Sequence, residues 1–273
     1  MEPDKTRRIR AYVVTERIPT VVLASGPEDH LLRYTAAIQQ LEAANIGKHA
    51  LVGGFAVMLR LASAHRVTED LDTVTWTLDG TSKTPIRILT ALGAKPTRNG
   101  VDIGDVHIDL IPVSDYDPEQ LPDDLDDAMF VVAHAFALNT ATPIRISALN
   151  SLHNEERTVT AQVASSAALV AMKLGAIARR RGESLHKRVS DTYDAYCLLA
   201  EHDRNGDVAR LLAAAKDALG PWCANQAREL FDINADRSKG WLNTGSHAMT
   251  QITAGQLRTV GTLFADTIDN CAS

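Results

Sequence analysis

Asp70 and Asp72 stand one residue apart at the head of the run Leu71–Leu78, whose alternation and β-branched content predict a strand. Residues i and i+2 of a strand point to one face, so the two carboxylates would project side by side. Carboxylates held that close repel each other unless a cation neutralises them. Mg2+ takes oxygen ligands and commonly uses one or two carboxylates, completing its shell with water and substrate phosphates. The pair therefore suits a metal-bound triphosphate. Asp109 lies at the centre of the apolar run Val106–Pro112, a second predicted strand. If the two strands are neighbours, Asp109 completes an acidic triad. Such a triad can clamp two metals that stabilise the attacking and leaving oxygens of an in-line displacement. Asp109 could also act as general base toward a hydroxyl. An Asp-x-Asp alone is more often a turn or strand-end feature, and Gly53-Gly54 alone is more often a turn than a phosphate cradle. Their order along the chain, with Asp109 flanked by apolar residues, gives the functional reading its weight.

The elements that must position these residues alternate in the first half. Glu28–Ala44 has helical apolar spacing through Leu31, Leu32, Ala36, Ile38, Leu41 and Ala44. His49–Val52 is a short buried strand ending in Gly53-Gly54, and Phe55–Ala64 is a helix. Ser82–Leu92 is a helix with Ser82 as candidate cap and Gly93 as its stop. Val101–Ile103 and Val106–Pro112 form a strand pair turning at Gly104-Asp105. Pro118–Leu138 is helical in part, and Ile144–Ile146 and Val159–Val163 are later strands. From Ser165 onward only helices are expected: Ser165–Arg181, Ser190–Glu201, Asp207–Leu219, Trp222–Phe231 and Thr253–Asp269. The pattern predicts an α/β (α+β) fold with a mixed twisted sheet over residues 1–164 and an all-helical domain over 165–273 that closes the cleft.

Composition narrows the class. Of 273 residues, 45% are apolar and 23% charged, which excludes a disordered chain. The net charge of −6 does not advertise a nucleic-acid binder, so a polyanion site would have to be a local basic patch. The longest apolar run, Met129–Leu138, is too short to span a bilayer and contains His134. No apolar segment follows the charges of the first residues, so no signal peptide is expected. Three scattered cysteines, Cys197, Cys223 and Cys271, fit reduced thiols, and the cytoplasm is the expected location.

Gly53-Gly54, the spacing Arg66-x-Thr68-x-Asp70-x-Asp72 and the later Asp109 resemble the core of DNA polymerase beta-like nucleotidyltransferases. More closely, they resemble the AbiEii-type toxin family, which includes the mycobacterial MenT toxins. A second match lies in the helical half. Lys173, Leu174, Ala176 and Arg179–Arg181, followed by Lys187, Arg188, Asp191, Tyr193 and Asp194, are similar to the family's Lys-Leu-x-Ala-x-x-x-Arg and basic-Asp-x-Tyr-Asp-Leu. The resemblance covers roughly residues 48–200. The chain departs from it at Ala195, where the family often has Leu, and at Ser190, where a basic residue is usual.

The resemblance implies that Asp70, Asp72 and Asp109 bind Mg2+, with a two-metal site expected. Gly53, Gly54 and Thr68 would present N–H and hydroxyl groups to an NTP. Lys173 would meet the nucleotide phosphates, and Asp191 would pair Lys173 or the attacking hydroxyl. Helix N-capping is an equal and compatible reading of Asp191. His107 falls on the Asp109 side of its strand and could tune that carboxylate, although a structural His is commoner. Arg179, Arg180, Arg181, Lys187 and Arg188 form a basic run that is either a solvated helix end or an RNA-backbone surface. The aromatics (Phe 5, Tyr 5, Trp 3) do not interleave with these basic residues, which favours folded RNA over a single-strand stacking platform. Lys5, Arg7, Arg8 and Arg10 would help or form a frayed end.

The expected activity is metal-dependent transfer of NMP from an NTP to the 3′ end of tRNA, blocking aminoacylation. The expected context is a toxin neutralised by a cognate antitoxin, with no membrane partner. Two alternatives stand beside it: nucleotidylation of a small hydroxylated compound such as an aminoglycoside, and a catalytically silent nucleotide-binding interaction module.

Overall fold

A computed structural model describes residues 18–24, 29–63, 65, 66, 68, 70–78, 80–154, 156–180 and 185–272. Its first part contains strands β1 (Thr20–Ala24), β2 (His49–Val52), β3 (Leu71–Trp76), β4 (Lys95–Pro96), β5 (Gly100–Ile103), β6 (Val106–Val113), β7 (Thr142–Leu149) and β8 (Glu156–Val163). Between them lie helices α1 (His30–Ala43), α2 (Gly53–Leu61), α3 (Lys83–Ala91) and α4 (Leu125–Asn139), with a 3-10 turn at Pro118–Gln120. The eight strands make one mixed sheet in the order β1-β7-β8-β2-β3-β6-β5-β4. β3 runs parallel to β6 and antiparallel to β2. The hairpin β5–β6 forms around Gly104-Asp105 as its sequence predicts.

After Val163 the described elements are helical. They are α5 (Ser166–Arg179), α6 (Leu185–His202), α7 (Asp207–Ala213), α8 (Leu219–Ala227), α9 (Ala235–Leu242), α10 (His247–Thr250) and α11 (Ala254–Ala272), with a π-helical stretch at Arg228–Ile233. The fold is therefore mixed α/β with a helical C-terminal region, as the sequence pattern predicts. Ser165 caps α5: its hydroxyl accepts from the Ala168 N–H at 3.2 Å, satisfying a first-turn donor. Leu169, Val170 and Leu174 of α5 are buried, as are Leu198 and Leu199 of α6, so apolar stripes at helical spacing bury these helices against each other, with α4 packed on α5 and α2 on both. Among the described residues no helix is long and apolar enough to cross a membrane.

Several boundaries differ from the sequence expectation. Helix α6 starts at Leu185, not Ser190, because buried Val189 extends the apolar stripe beneath the polar His186, Lys187 and Arg188. Asp191 is thus inside a helix and is not its N-cap. Ser82 precedes α3 without a capping hydrogen bond. The helix expected over Asp207–Leu219 stops at Ala213, before the left-handed Asp217 and Ala218. Strands β1 and β4 and helix α9 have signals too short or too polar to stand out. The expected helix limits at Glu28, Ala64 and Arg181 lie outside the described residues.

Candidate active site

The site starts at a chain reversal. Val52 ends β2 and pairs with Asp72 on β3, and the next residue, Gly53, opens α2. Gly53 has φ +70, and a side chain there would occupy the space filled by the Asp72 carboxylate. Only glycine permits both the left-handed turn and this approach. A side chain at Gly54 would meet the Arg66 guanidinium and the Thr68 hydroxyl. The helix start has no side-chain cap hydrogen bond, so no capping side chain takes its first-turn N–H groups at the positive end of the helix dipole.

On the other side of β3, Asp72 is in direct register with Asp109 of β6. In a parallel pair, register partners project from the same face. Asp70 precedes the first residue of β3, so it does not share the strand's alternation as the sequence predicted; its carbonyl accepts from the Thr68 hydroxyl at 3.3 Å. It still lies close enough to act on Asp72. Burial pushes the Asp72 carboxyl up from its ordinary value, Lys173 opposes this, and the negative charges of Asp109, Asp70 and Asp191 push it further up.

His107 sits two residues before Asp109 on the same face. Its Nδ1 lies 2.7 Å from Asp102 and its Nε2 3.3 Å from Asp109. The hydrogen bond to Asp102, with Asp109 adding to it, raises the imidazole above its ordinary 6.5.

Facing this acidic edge is a buried ionic cluster on α5 and α6. Lys173 Nζ lies 2.8 Å from Asp191 and 2.8 Å from Asp194. Burial alone would lower the ammonium, but Asp194 and Asp191 hold it at about 12. Asp194, fully buried, also accepts from Arg66 Nε at 2.7 Å and Nη2 at 2.6 Å, and lies 2.9 Å from His65 Nε2. Burial would raise its carboxyl, but Lys173, Arg66 and His65 together hold it well below the usual carboxylate range. Arg180 pairs with the other oxygen of Asp191.

Asp72, Lys173, Arg180 and Asp191 line one cavity of about 380 Å3, whereas Asp70, Asp109 and Asp194 are not part of its lining. Its polar wall carries Gly53, Asp72, Lys173, Arg180 and Asp191; its apolar wall includes Phe130, Leu169 and Met172. Arg179 lies over the Phe130 ring at 4.1 Å and pairs with Asp127 at 2.9 Å. His134, buried beside Phe130, is held neutral by burial, its pKa lowered to about 4.

The chain matches the family described as the nucleotidyl transferase AbiEii toxin, type IV TA system, over residues 38–244. It belongs to that family. AbiEii membership makes it a nucleotidyltransferase by family and implies an antitoxin partner. No curated protein matches the chain. Similar solved structures include the antibiotic-resistance factor ANT(2'')-Ia in solution, at 13% identity and TM-score 0.41, covering 73% of this chain and 95% of that one. They also include ANT(2'')-Ia in complex with adenylyl-2''-tobramycin, at 14% identity and TM-score 0.38, covering 64% and 94%. A third is JHP933 from Helicobacter pylori, at 14% identity and TM-score 0.42, covering 90% and 95%.

Of the residues singled out in the AbiEii-like sequence pattern, Gly53, Asp72, Lys173, Asp191, Arg179 and Arg180 line the cavity. Thr68 and Gly54 lie against one another beside it. Lys187 is exposed, Arg188 points to Trp241, and Arg181 lies outside the described residues, as do Lys5, Arg7, Arg8 and Arg10. Sequence reasoning missed Asp194, Arg66 and His65 as a unit, and Phe130 and His134 as cavity wall. Asp194 had a visible signal: it is three residues from Asp191, hence on the same helix face.

Proposed function

We propose that this protein is a Mg2+-dependent toxin that transfers a nucleoside monophosphate from an NTP to the 3′ end of tRNA, blocking aminoacylation. The observation that carries the reading is the register pairing of Asp72 with Asp109, opposite the uncapped start of α2 and the Lys173 cluster.

The donor set fits the ion. Asp70, Asp72 and Asp109 offer hard carboxylate oxygens, and the raised Asp72 marks a place where uncompensated negative charge is costly. Among the described residues no three His, Cys, Asp or Glu side chains are grouped to hold a metal ion, so an ion on these carboxylates would need substrate phosphates and water to complete its shell. When bound, Mg2+ supplies neutralisation of the triphosphate and of the departing pyrophosphate.

The chain's own residues do the rest. The N–H groups at Gly53 and Gly54 bind phosphate oxygens, with the Thr68 hydroxyl beside them. Lys173 adds a fixed positive charge, locked in place by Asp191 and Asp194. Phe130, Leu169 and Met172 exclude water from the apolar end, where the nucleoside rests. Asp109, with His107 beside it, accepts the proton of the attacking hydroxyl.

The test is growth of cells induced for wild type or Asp70→Ala, followed by sequencing of tRNA 3′ ends. Growth arrest with extended tRNA ends, absent in the variant, is the expected result. Arrest with unaltered tRNA ends, or arrest that survives Asp70→Ala, contradicts it.

A further inference from the structure

A second cavity, of about 470 Å3, lies against the opposite side of α5 from the first, with Leu174 and Ile177 as its floor. Trp241 of α9 forms one wall. The guanidinium of Arg188 lies 5.0 Å from its ring centre and that of Arg237 5.3 Å, both within cation–π range. Neither arginine is paired with a carboxylate among the described residues. Arg188 donates to the Arg180 carbonyl, and Arg237, exposed, makes no hydrogen bond among the described residues. That is unusual for this surface: Arg204, Arg210, Arg228 and Arg258 of the same helical region each hold an acidic partner. Even Asp236, next to Arg237, is bonded to Arg258 instead. In a chain of net charge −6, two unneutralised arginines on one aromatic ring make a local site for an anion that also has a flat face.

Sequence order hides this arrangement, because no aromatic interleaves with the basic run. The fold brings Trp241 to it. Arg188 also links the two cavities: it donates to the Arg180 carbonyl, and Arg180 lines the first cavity and pairs with Asp191. A strand crossing the C-terminal end of α5 would touch both.

We infer that the Arg188–Trp241–Arg237 cavity binds one nucleotide of a single-stranded RNA 3′ tail, upstream of the hydroxyl presented to Asp109. This rests on the RNA-acceptor reading above. The phosphate lies between the two guanidinium groups, and the base stacks on the Trp241–arginine layer over Leu174 and Ile177. Glu229, on the cavity rim, is an acceptor for a base amine.

The experiment uses the full chain carrying Asp72→Asn, so that binding is read without turnover. The probes are a labelled RNA hairpin with a single-stranded 3′ tail, the same hairpin without the tail, and free NTP. Two variants are compared in that background: Arg237→Gln, at an exposed position, and Trp241→Phe, which keeps a ring. Each is expected to bind the tailed hairpin about tenfold more weakly, while NTP affinity and melting temperature stay unchanged. The salt slope of log K is expected to fall by about 1 for Arg237→Gln. Equal affinity of wild type and both variants for the tailed hairpin overturns the inference. So does quenching of Trp241 fluorescence by free NTP or an acidic peptide but not by RNA. No RNA binding by any protein would sink the acceptor reading as well. Tail-dependent binding through Arg237, without nucleotide transfer to RNA by the wild-type protein, would sink only that reading.

Discussion

Asp72 and Asp109 are register partners on adjacent parallel strands, so two carboxylates 37 positions apart in sequence share one face of the sheet. The charge of Asp109 contributes to the raised Asp72 carboxyl, after burial and against Lys173. Replacing Asp109 by Asn removes that contribution. The Asp72 carboxyl is then expected to titrate at lower pH than in wild type, as read by carbon NMR of labelled aspartate. An unchanged titration would mean that the two groups do not act on one another.

The turn at Gly53 gives a second prediction. Gly53→Ala forces a side chain into a left-handed backbone and onto the Asp72 carboxylate. A stability loss of about 1–2 kcal/mol is expected in urea unfolding. Nucleotide transfer is expected to fall by more than that loss explains, because the carboxylate is displaced. Full activity in the variant would separate Gly53 from the site.

Much of this site can be read in the sequence, and the part that cannot has a physical reason. Asp72 and the strand around Asp109 declare themselves by alternation and apolar flanks, whereas Asp70 stands just before β3 and outside its alternation. Which strands neighbour one another is not a local property, so the Asp72–Asp109 register emerges only in the sheet. The same holds for Asp194. Its place on the Asp191 face is visible at helical spacing, but its partner Arg66 lies 128 residues away on a loop. Phe130 and His134 sit in an apolar run that fits an ordinary core helix, and only packing makes them a cavity wall. Asp191 resembled a cap because the polar run His186–Arg188 masked the true start of α6.

The buried cluster predicts a pH signature. Asp194→Asn leaves Lys173, Arg66 and His65 short of one negative charge, and breaking such a buried pair typically costs about 3–5 kcal/mol. Because the folded Asp194 carboxyl is depressed, its contribution is fully present above the unfolded value near about pH 4. It is lost as pH falls from there through the folded value. Lys173, raised to about 12, contributes fully below 10.5 and loses its contribution as pH rises through about 12. The stability gap between wild type and Asp194→Asn, measured by denaturant unfolding, should be constant at neutral pH and narrow below about pH 4. A gap that stays flat into acid would remove Asp194 from the ionic cluster.

His107 provides a more local test. Asp102 and Asp109 raise its imidazole above 6.5, so its charged form is favoured, and that small contribution is lost as pH rises through the folded value. Proton NMR should show His107 titrating above 6.5 in wild type, and Asp102→Asn should move it down. Titration at or below the ordinary value in wild type would contradict the contacts with both carboxylates.

The acidic edge and the Lys173 cluster are expected to act together in transferring a nucleotide to RNA. The direct measurement is incubation of purified protein with Mg2+, each labelled NTP in turn, and total tRNA, beside Asp72→Asn and Asp109→Asn. Label on tRNA 3′ ends with wild type, reduced at least about a hundredfold by either substitution, is the predicted result. No label with any NTP, or label unaffected by Asp72→Asn, would contradict it.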